Sequence, residues 1–343
     1  MSHVLVARLD NDGDVLLAGP AVRAIAAGAS RVTMLVGPRG RAAAELLPGV
    51  DAIVEHRAEW IDPEPDPLEP ERTLAFVARL RELGIERAVI LGSFHQSPLP
   101  LALLLRLAGV PWVGATSVDY PGSLLDLRHL IDDDVHEVER SLSLAAAAGY
   151  RLPAGDDGAL RVDPPDGAPP PELPPGYVVV HPGASVQARS WPPERHGALV
   201  DALAAATPVV VTGGPGERAL TRLVAGPARD GVVDLGGRTT LGGLARVLAG
   251  ARAVVVGNTG PAHLAAAVGC PVVWLHAPTV PAVRWRPWRV PHVVVTRDVP
   301  CAGCRARTCP VPGHPCMTDI DVPEVAAALR ALLGAREPVG VAA

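Results

Sequence analysis

VVVGNTGPAHLAAAVGCPVVWLHAP spans Val254 to Pro278. Three valines stop at Gly257, Pro261 follows, an alanine-rich segment carries His263, and a second apolar run ends at Pro278. β-Branched runs suit strands, and proline suits the first turn of a helix. Strand, helix and strand in so short a span predict a parallel βαβ unit. Gly257, Asn258, Thr259 and Gly260 fall between strand and helix. Free backbone amides and the Thr259 hydroxyl there would form an anion site suited to a diphosphate. The plain alternative is an ordinary strand–turn–helix with His263 in the core.

The same pattern extends outward. YVVVHPG, PVVVTGG, VVDLGG and AVVVGNTG each end in glycine, proline or a small polar residue. Open α/β sheets bind ligands at such carboxyl ends. In the first half, HVLVARL, RVTMLVG, DAIVEH and RAVILG alternate with helices expected near residues 16–27, 39–47, 71–83 and 99–108. Between the halves, PAGDDGALRVDPPDGAPPPELPP holds proline too densely for helix or sheet interior. The organisation expected is a first α/β domain over residues 1–152, a proline-rich linker over 153–175, and a second α/β domain over 176–321. A C-terminal helix and tail over 322–343 could pack on either domain. A cleft between two such domains is the default ligand site.

The 343 residues are 48% hydrophobic and 20% charged, with a net charge of -5, so no basic stripe suggests nucleic acid. All 31 basic residues are arginine, which excludes a lysine-based mechanism. Arg8 and the acidic DNDGD cluster interrupt the N-terminal apolar run too early for a signal peptide. No uncharged apolar stretch reaches the roughly 18 residues of a membrane span. A cytoplasmic location with reduced thiols is the expectation.

DNDGD, Asp10 to Asp14, could be a calcium loop, a helix cap or a catalytic loop. A calcium loop needs a glutamate at its twelfth position; Ala21 and Arg23 stand there, so that reading fails. Asp12 or Asp14 could cap a helix starting near Val15. Gly13 would allow a sharp turn that points Asp14 toward a ligand as general base.

HPGASVQARSWPPERH, His181 to His196, could turn the amides of Gly183, Ala184 and Ser185 to a phosphate, with Arg189 as its charged partner. Gly214, Gly216 and Ala219 match G-x-G-x-x-A, with Asp234 at the spacing of a ribose-binding acid. That pattern also fits a nucleotide loop in which Glu217 reaches a ribose. Cys301, Cys304, Cys309 and Cys316, with His314 among them, suit a structural zinc, free thiols or disulfides formed on oxidation. Cys270 reads as a packed small hydrophobe.

Taken together, VLVARLDNDGDVLLAGPAVRAI, HPGASVQARSWPPERH, NTGPAHLAAAVGCPVVWLHAPTVP and the cysteine-rich tail ending in CM resemble glycosyltransferase family 9, the bacterial heptosyltransferases. The resemblance implies a GT-B architecture, two Rossmann-like domains with parallel sheets facing across a cleft. It also implies inverting, metal-independent transfer from a nucleotide sugar, usually ADP-heptose, to an acceptor hydroxyl of a glycan or small molecule. No catalytic cofactor is implied, and contact with a membrane would be peripheral.

By the same resemblance, Asp14 occupies the general-base position. Arg189 stands where a lysine usually contacts the donor phosphates, Thr259, Gly260 and His263 match diphosphate-holding residues, and Glu217 approximates the ribose contact. Three departures concern the acceptor and donor. Asp10, Asn11 and Asp12 replace two small serines and a hydrophobe beside Gly13, Asn258 replaces an aspartate, and Val280 replaces an acidic residue often found there. Two other classes stay open: a nucleotide-sugar-binding protein without catalysis, and an NAD-dependent oxidoreductase built on Gly214, Gly216, Ala219 and Asp234.

Overall fold

The structure, a computed structural model, describes residues 2–62, 64–163 and 173–334. The chain divides into two compact units, residues 1–163 and 164–343. Part of the expected linker (164–172) and the expected tail (335–343) lie outside the described residues.

The first unit contains β1 (His3–Arg8), β2 (Arg31–Val36), β3 (Ala52–Glu55), β4 (Arg87–Ile90), β5 (Trp112–Thr116) and β6 (Leu127–His129). They form one parallel sheet in the order β3-β2-β1-β4-β5-β6. The second unit contains β7 (Val178–His181), β8 (Val209–Val211), β9 (Val232–Asp234), β10 (Val254–Gly257), β11 (Val272–His276) and β12 (His292–Thr296). Its sheet is also parallel, in the order β12-β11-β10-β7-β8-β9. Val254 pairs with Val179 on one side and Val272 on the other.

Helices cover such sheets on both faces, so inner strands read as unbroken apolar runs. Val4, Leu5 and Val6 in β1, and Val254, Val255 and Val256 in β10, are fully buried. Strand order reverses between β1 and β4 in one sheet and between β7 and β10 in the other. Each reversal opens a crevice at the carboxyl ends, where α/β sheets bind ligands.

Several elements differ from expectation. The first helix spans Asp12–Ala26, about a turn longer than expected at its start. Its N-cap is Asn11, in extended conformation, and neither Asp12 nor Asp14 caps it. Both acids occupy the first turn, where the helix dipole favours negative charge. Their side chains are drawn to other partners: Asp12 Oδ1 accepts the Ala43 amide (3.0 Å), and Asp14 pairs with Arg8. The helix expected over 39–47 contracts to Arg41–Ala44, because the chain tightens into three-residue turns at Leu46 and Leu47.

β5, β6, β12 and the helix Glu137–Ala147 add to the elements expected from sequence. In β5 the signal is weakened by Gly114, where a Cβ would lie 2.5 Å from the Trp112 ring. The C-terminal helix Val322–Gly334 belongs to the second unit, with Val325, Leu329 and Leu332 in its core.

The leading part of the proline-rich segment is docked on the first unit. Arg23, in the first helix, holds Asp156 through two hydrogen bonds (2.7 and 2.9 Å) and donates to the Ala159 carbonyl (2.8 Å). Leu160 is buried beside it. No helix among the described residues is long and apolar enough to cross a membrane.

Candidate active site

Each unit places polar groups at its crevice. In the first, Arg8 ends β1 and is buried (1% exposed), an expensive position for a lone cation. Its Nε lies 2.8 Å from Asp10 Oδ2, and its Nη1 lies 3.1 Å from Glu137 Oε2. Nη2 donates to Ser93 Oγ (2.7 Å), Asp14 Oδ1 (3.1 Å) and Glu137 Oε2 (3.2 Å). Two hydrogens on Nη2 therefore serve three acceptors.

The loop after β4 supplies Ser93 and Gln96, and Asp10 accepts from both. Glu137 opens its helix, whose dipole favours its charge. Around one guanidinium stand three carboxylates, with side-chain exposures of 7% for Asp10, 1% for Glu137 and 23% for Asp14. Asp14 is the most open of them and the one on the crowded nitrogen. Burial and the Asp10 charge push its carboxyl up to about 7, with Glu137 acting in the same direction and Arg8 opposing. A carboxylate poised near neutrality suits a general base.

Of the DNDGD residues, Asp10 is committed to Arg8, Ser93 and Gln96, and Asp12 ties down the Arg41–Ala44 turn. Burial raises the Asp12 carboxyl to about 6. Asn11 is exposed and Gly13 buried. Beside Asp10 and Asn11 a pocket opens, edged by Arg39 and Arg57, which are 48% and 43% exposed. Sequence reading passed over Arg8, Ser93, Gln96 and Glu137. Arg8 carries the one legible signal, a charge at the end of a buried strand; the other three are brought in only by topology.

In the second unit the loops after β7 and β10 meet at the crevice. Thr259 is the extended N-cap of the helix Gly260–Ala267, yet its hydroxyl makes no capping bond. Thr259 Oγ1 and Asn258 Nδ2 are both buried without a hydrogen-bond partner among the described residues. At the end of β11 and just after it, His276 Nδ1 and Thr279 Oγ1 are unpaired in the same way. Leaving a buried polar atom unpaired costs roughly 1–3 kcal/mol. All four lie at or just after the carboxyl ends of the neighbouring strands β10 and β11, where α/β sheets bind ligands. His276 stays neutral: burial, with Arg189 nearby, lowers it to about 4.

His263 is buried in the first turn of the same helix. Arg189 ends the short turn Gln187–Arg189, and its carbonyl would lie 3.5 Å from a Cβ on Gly257. The Arg189 backbone is thus brought beside the loop and helix start that carry Asn258, Thr259, Gly260 and His263. Ser185 lies on the exposed part of the β7 loop. His276 and Thr279 were missed because HAPT reads as an ordinary strand ending.

Glu217 accepts the Gly214 amide (2.7 Å) in its own turn and covers Gly183, where a Cβ would fall 2.1 Å from Oε1. A side chain at 183 would push the Glu217 carboxylate aside. A carboxylate on the Gly214 amide also opposes a pyrophosphate at that loop, and Asp234 Oδ1 is taken by the Gly236 amide (2.8 Å). Moreover, β8 lies one strand away from the crevice.

The four tail cysteines differ in exposure: Cys304 is exposed, Cys301 and Cys309 partly buried, and Cys316 buried. Burial, reinforced by the other three thiols, raises Cys316 to about 11. Among the described residues no group of three or more His, Cys, Asp or Glu converges to hold a metal ion. Cys270 is packed, as expected.

The family model for glycosyltransferase family 9 (heptosyltransferase) matches residues 95–314. Lipopolysaccharide heptosyltransferase 1 of Pseudomonas aeruginosa is 36% identical over 183 residues, covering 51% of this chain and 48% of that protein. The chain spans about half the length, or less, of the curated relatives it matches. The solved ADP-heptose lipopolysaccharide heptosyltransferase II of Escherichia coli superposes with a TM-score of 0.74 at 19% identity, covering 98% of this chain and 100% of that one. An E. coli heptosyltransferase solved with ADP-2-deoxy-2-fluoro heptose gives 0.69 at 21% identity, covering 96% and 99%. At that identity the likeness shows the fold, GT-B with two Rossmann-like α/β units.

Proposed function

Since the chain belongs to glycosyltransferase family 9, we propose that it transfers a heptose or related sugar from an ADP-heptose-like donor to an acceptor hydroxyl, with inversion. The acceptor is a cell-surface glycan precursor or a small molecule, and the work is done in the cytoplasm. The observation that carries this reading is Asp14, an under-paired and partly open carboxylate at the β1/β4 crevice.

Asp14 takes the proton of the acceptor hydroxyl as its oxygen bonds to the anomeric carbon. The bond from that carbon to the donor phosphate oxygen breaks, and its electron pair leaves with the diphosphate. Arg189, the Gly260 amide and the Thr259 hydroxyl receive the growing charge, and this needs no metal. Asn258, His276 and Thr279, with neutral unpaired atoms, are suited to sugar or phosphate oxygens.

The test is release of ADP from ADP-heptose by the purified chain. Asp14→Asn is expected to lower turnover by about 10²–10⁴ while ADP binding by calorimetry holds. Near-normal turnover in that variant removes Asp14 as base. NADH binding in place of ADP would favour the oxidoreductase reading, and ADP binding without sugar release a non-catalytic one. Elemental analysis tests the structural zinc expected from the cysteine spacing; one equivalent would show that the four thiols close on an ion.

A further inference from the structure

The cysteine-rich loop, CAGCRARTCPVPGH from Cys301 to His314, has no part in the chemistry above, yet it is tied to the crevice at four points. The Ala188 amide donates to the Arg307 carbonyl (2.9 Å), and His314 Nε2 lies 3.0 Å from the Ala188 carbonyl. Both polar backbone groups of Ala188, the residue before Arg189, are therefore held by this loop. On its other side the Gly303 amide donates to the Pro278 carbonyl (2.7 Å), and the Arg305 amide to the Thr279 carbonyl (3.0 Å). The loop thus grips both the turn that presents Arg189 and the turn that presents Thr279.

Its own backbone is forced to do so. Arg305 (φ 53°) and His314 (φ 51°) are left-handed without being glycine, and Gly303 and Gly313 are left-handed as well. A non-glycine residue so placed is strained and persists only where its surroundings impose it. The far end is anchored, with Cys316 and Met317 in the core and Ile320 accepting from Trp191 Nε1 (3.0 Å). Trp191 stands just beyond Arg189, so the C-terminal segment fixes the Arg189 turn from both ends.

We propose that residues 301–314 form a brace that sets the position of Arg189, with His314 as the positioning residue acting through the Ala188 carbonyl. The brace tunes affinity for the phosphate-bearing part of the donor and leaves the nucleoside part alone. This rests on Arg189 as the donor-phosphate partner.

Calorimetry with ADP and competition with adenosine, on wild type, Arg189→Ala, His314→Ala and His314→Gln, test it. Loss of the His314 bond is expected to weaken ADP about tenfold, the size of one ordinary hydrogen bond, with adenosine unchanged. His314→Gln, whose amide can donate in the same direction, should recover most of the loss and serves if the alanine variant does not fold. Equal loss for ADP and adenosine would show a merely structural loop and overturn the proposal. So would normal ADP affinity in His314→Ala while Arg189→Ala is impaired. Normal ADP affinity in Arg189→Ala would instead remove the phosphate role of Arg189, and the brace with it.

Discussion

Arg8 Nη2 and Asp14 Oδ1 lie 3.1 Å apart, and Asp14 shares that nitrogen with Ser93 and Glu137. The guanidinium serves Asp10 and Glu137 through its other nitrogens. The cluster therefore holds Asp14 in place while compensating its charge only in part. The buried cation fixes its position, while burial and the Asp10 charge keep it basic against the pull of Arg8. A fully paired aspartate would be ordered but too weakly basic to draw a proton at neutral pH.

Asp14→Asn should stabilise the fold at pH 8. The folded carboxyl titrates at about 7 against an ordinary 3.8, so between these values the fold holds a proton that the unfolded chain releases. Stability from this group is full below pH 3.8 and is lost as the pH rises through 7. Asparagine never ionises and escapes that loss. Urea denaturation should show a gain on the order of 1–2 kcal/mol at pH 8, discounted for the open face of Asp14, and almost none at pH 4. Equal changes at both pH values would contradict the raised carboxyl.

Arg8→Leu should act in the opposite sense. It leaves Asp10, Asp14 and Glu137 without their shared cation. Removing one partner of a buried pair costs about 3–5 kcal/mol. The cost should shrink as acid neutralises the carboxylates, so urea midpoints of variant and wild type should converge toward pH 4. A pH-independent difference would mean that Arg8 matters for packing alone.

Thr259→Val separates a ligand-facing hydroxyl from a structural one. Thr259 Oγ1 makes no hydrogen bond among the described residues, so valine should leave the melting temperature of the free protein unchanged or raise it slightly. If the hydroxyl bonds the donor phosphate, ADP affinity should fall about tenfold, roughly one hydrogen bond. Unchanged ADP affinity would place the diphosphate elsewhere.

Much of the fold was legible because parallel strands covered on both sides are written as plain valine runs, as in β7, β8 and β10. β5 was harder, since Gly114 is there to admit the Trp112 ring and carries no strand preference. At the sites, local pattern found what lies on one loop: Asp14, or the run Asn258 to His263. It could not find Glu137, which meets Arg8 across 129 positions of sequence. It also could not say that Asp10 and Asp12 would turn inward to Arg8 and the Ala43 amide. Those partners exist only once the strand order is set.

The docked start of the proline-rich segment gives the last prediction. Arg23 holds Asp156 through two nitrogens, and that hydrogen bond draws the carboxyl down to about 2. A lowered carboxyl adds stability above its ordinary 3.8 and loses it as the pH falls toward 2. Asp156→Asn should therefore cost on the order of 1 kcal/mol at pH 7, after screening by solvent, and close to nothing near pH 2. The change is also local. Residues 153–163 should become the first site of protease cleavage in the variant, while Arg23 keeps its bond to the Ala159 carbonyl. Limited proteolysis followed by mass spectrometry reads the cut. Cleavage elsewhere, or an unchanged rate at this segment, would mean that Leu160 and its neighbours hold it without the ion pair.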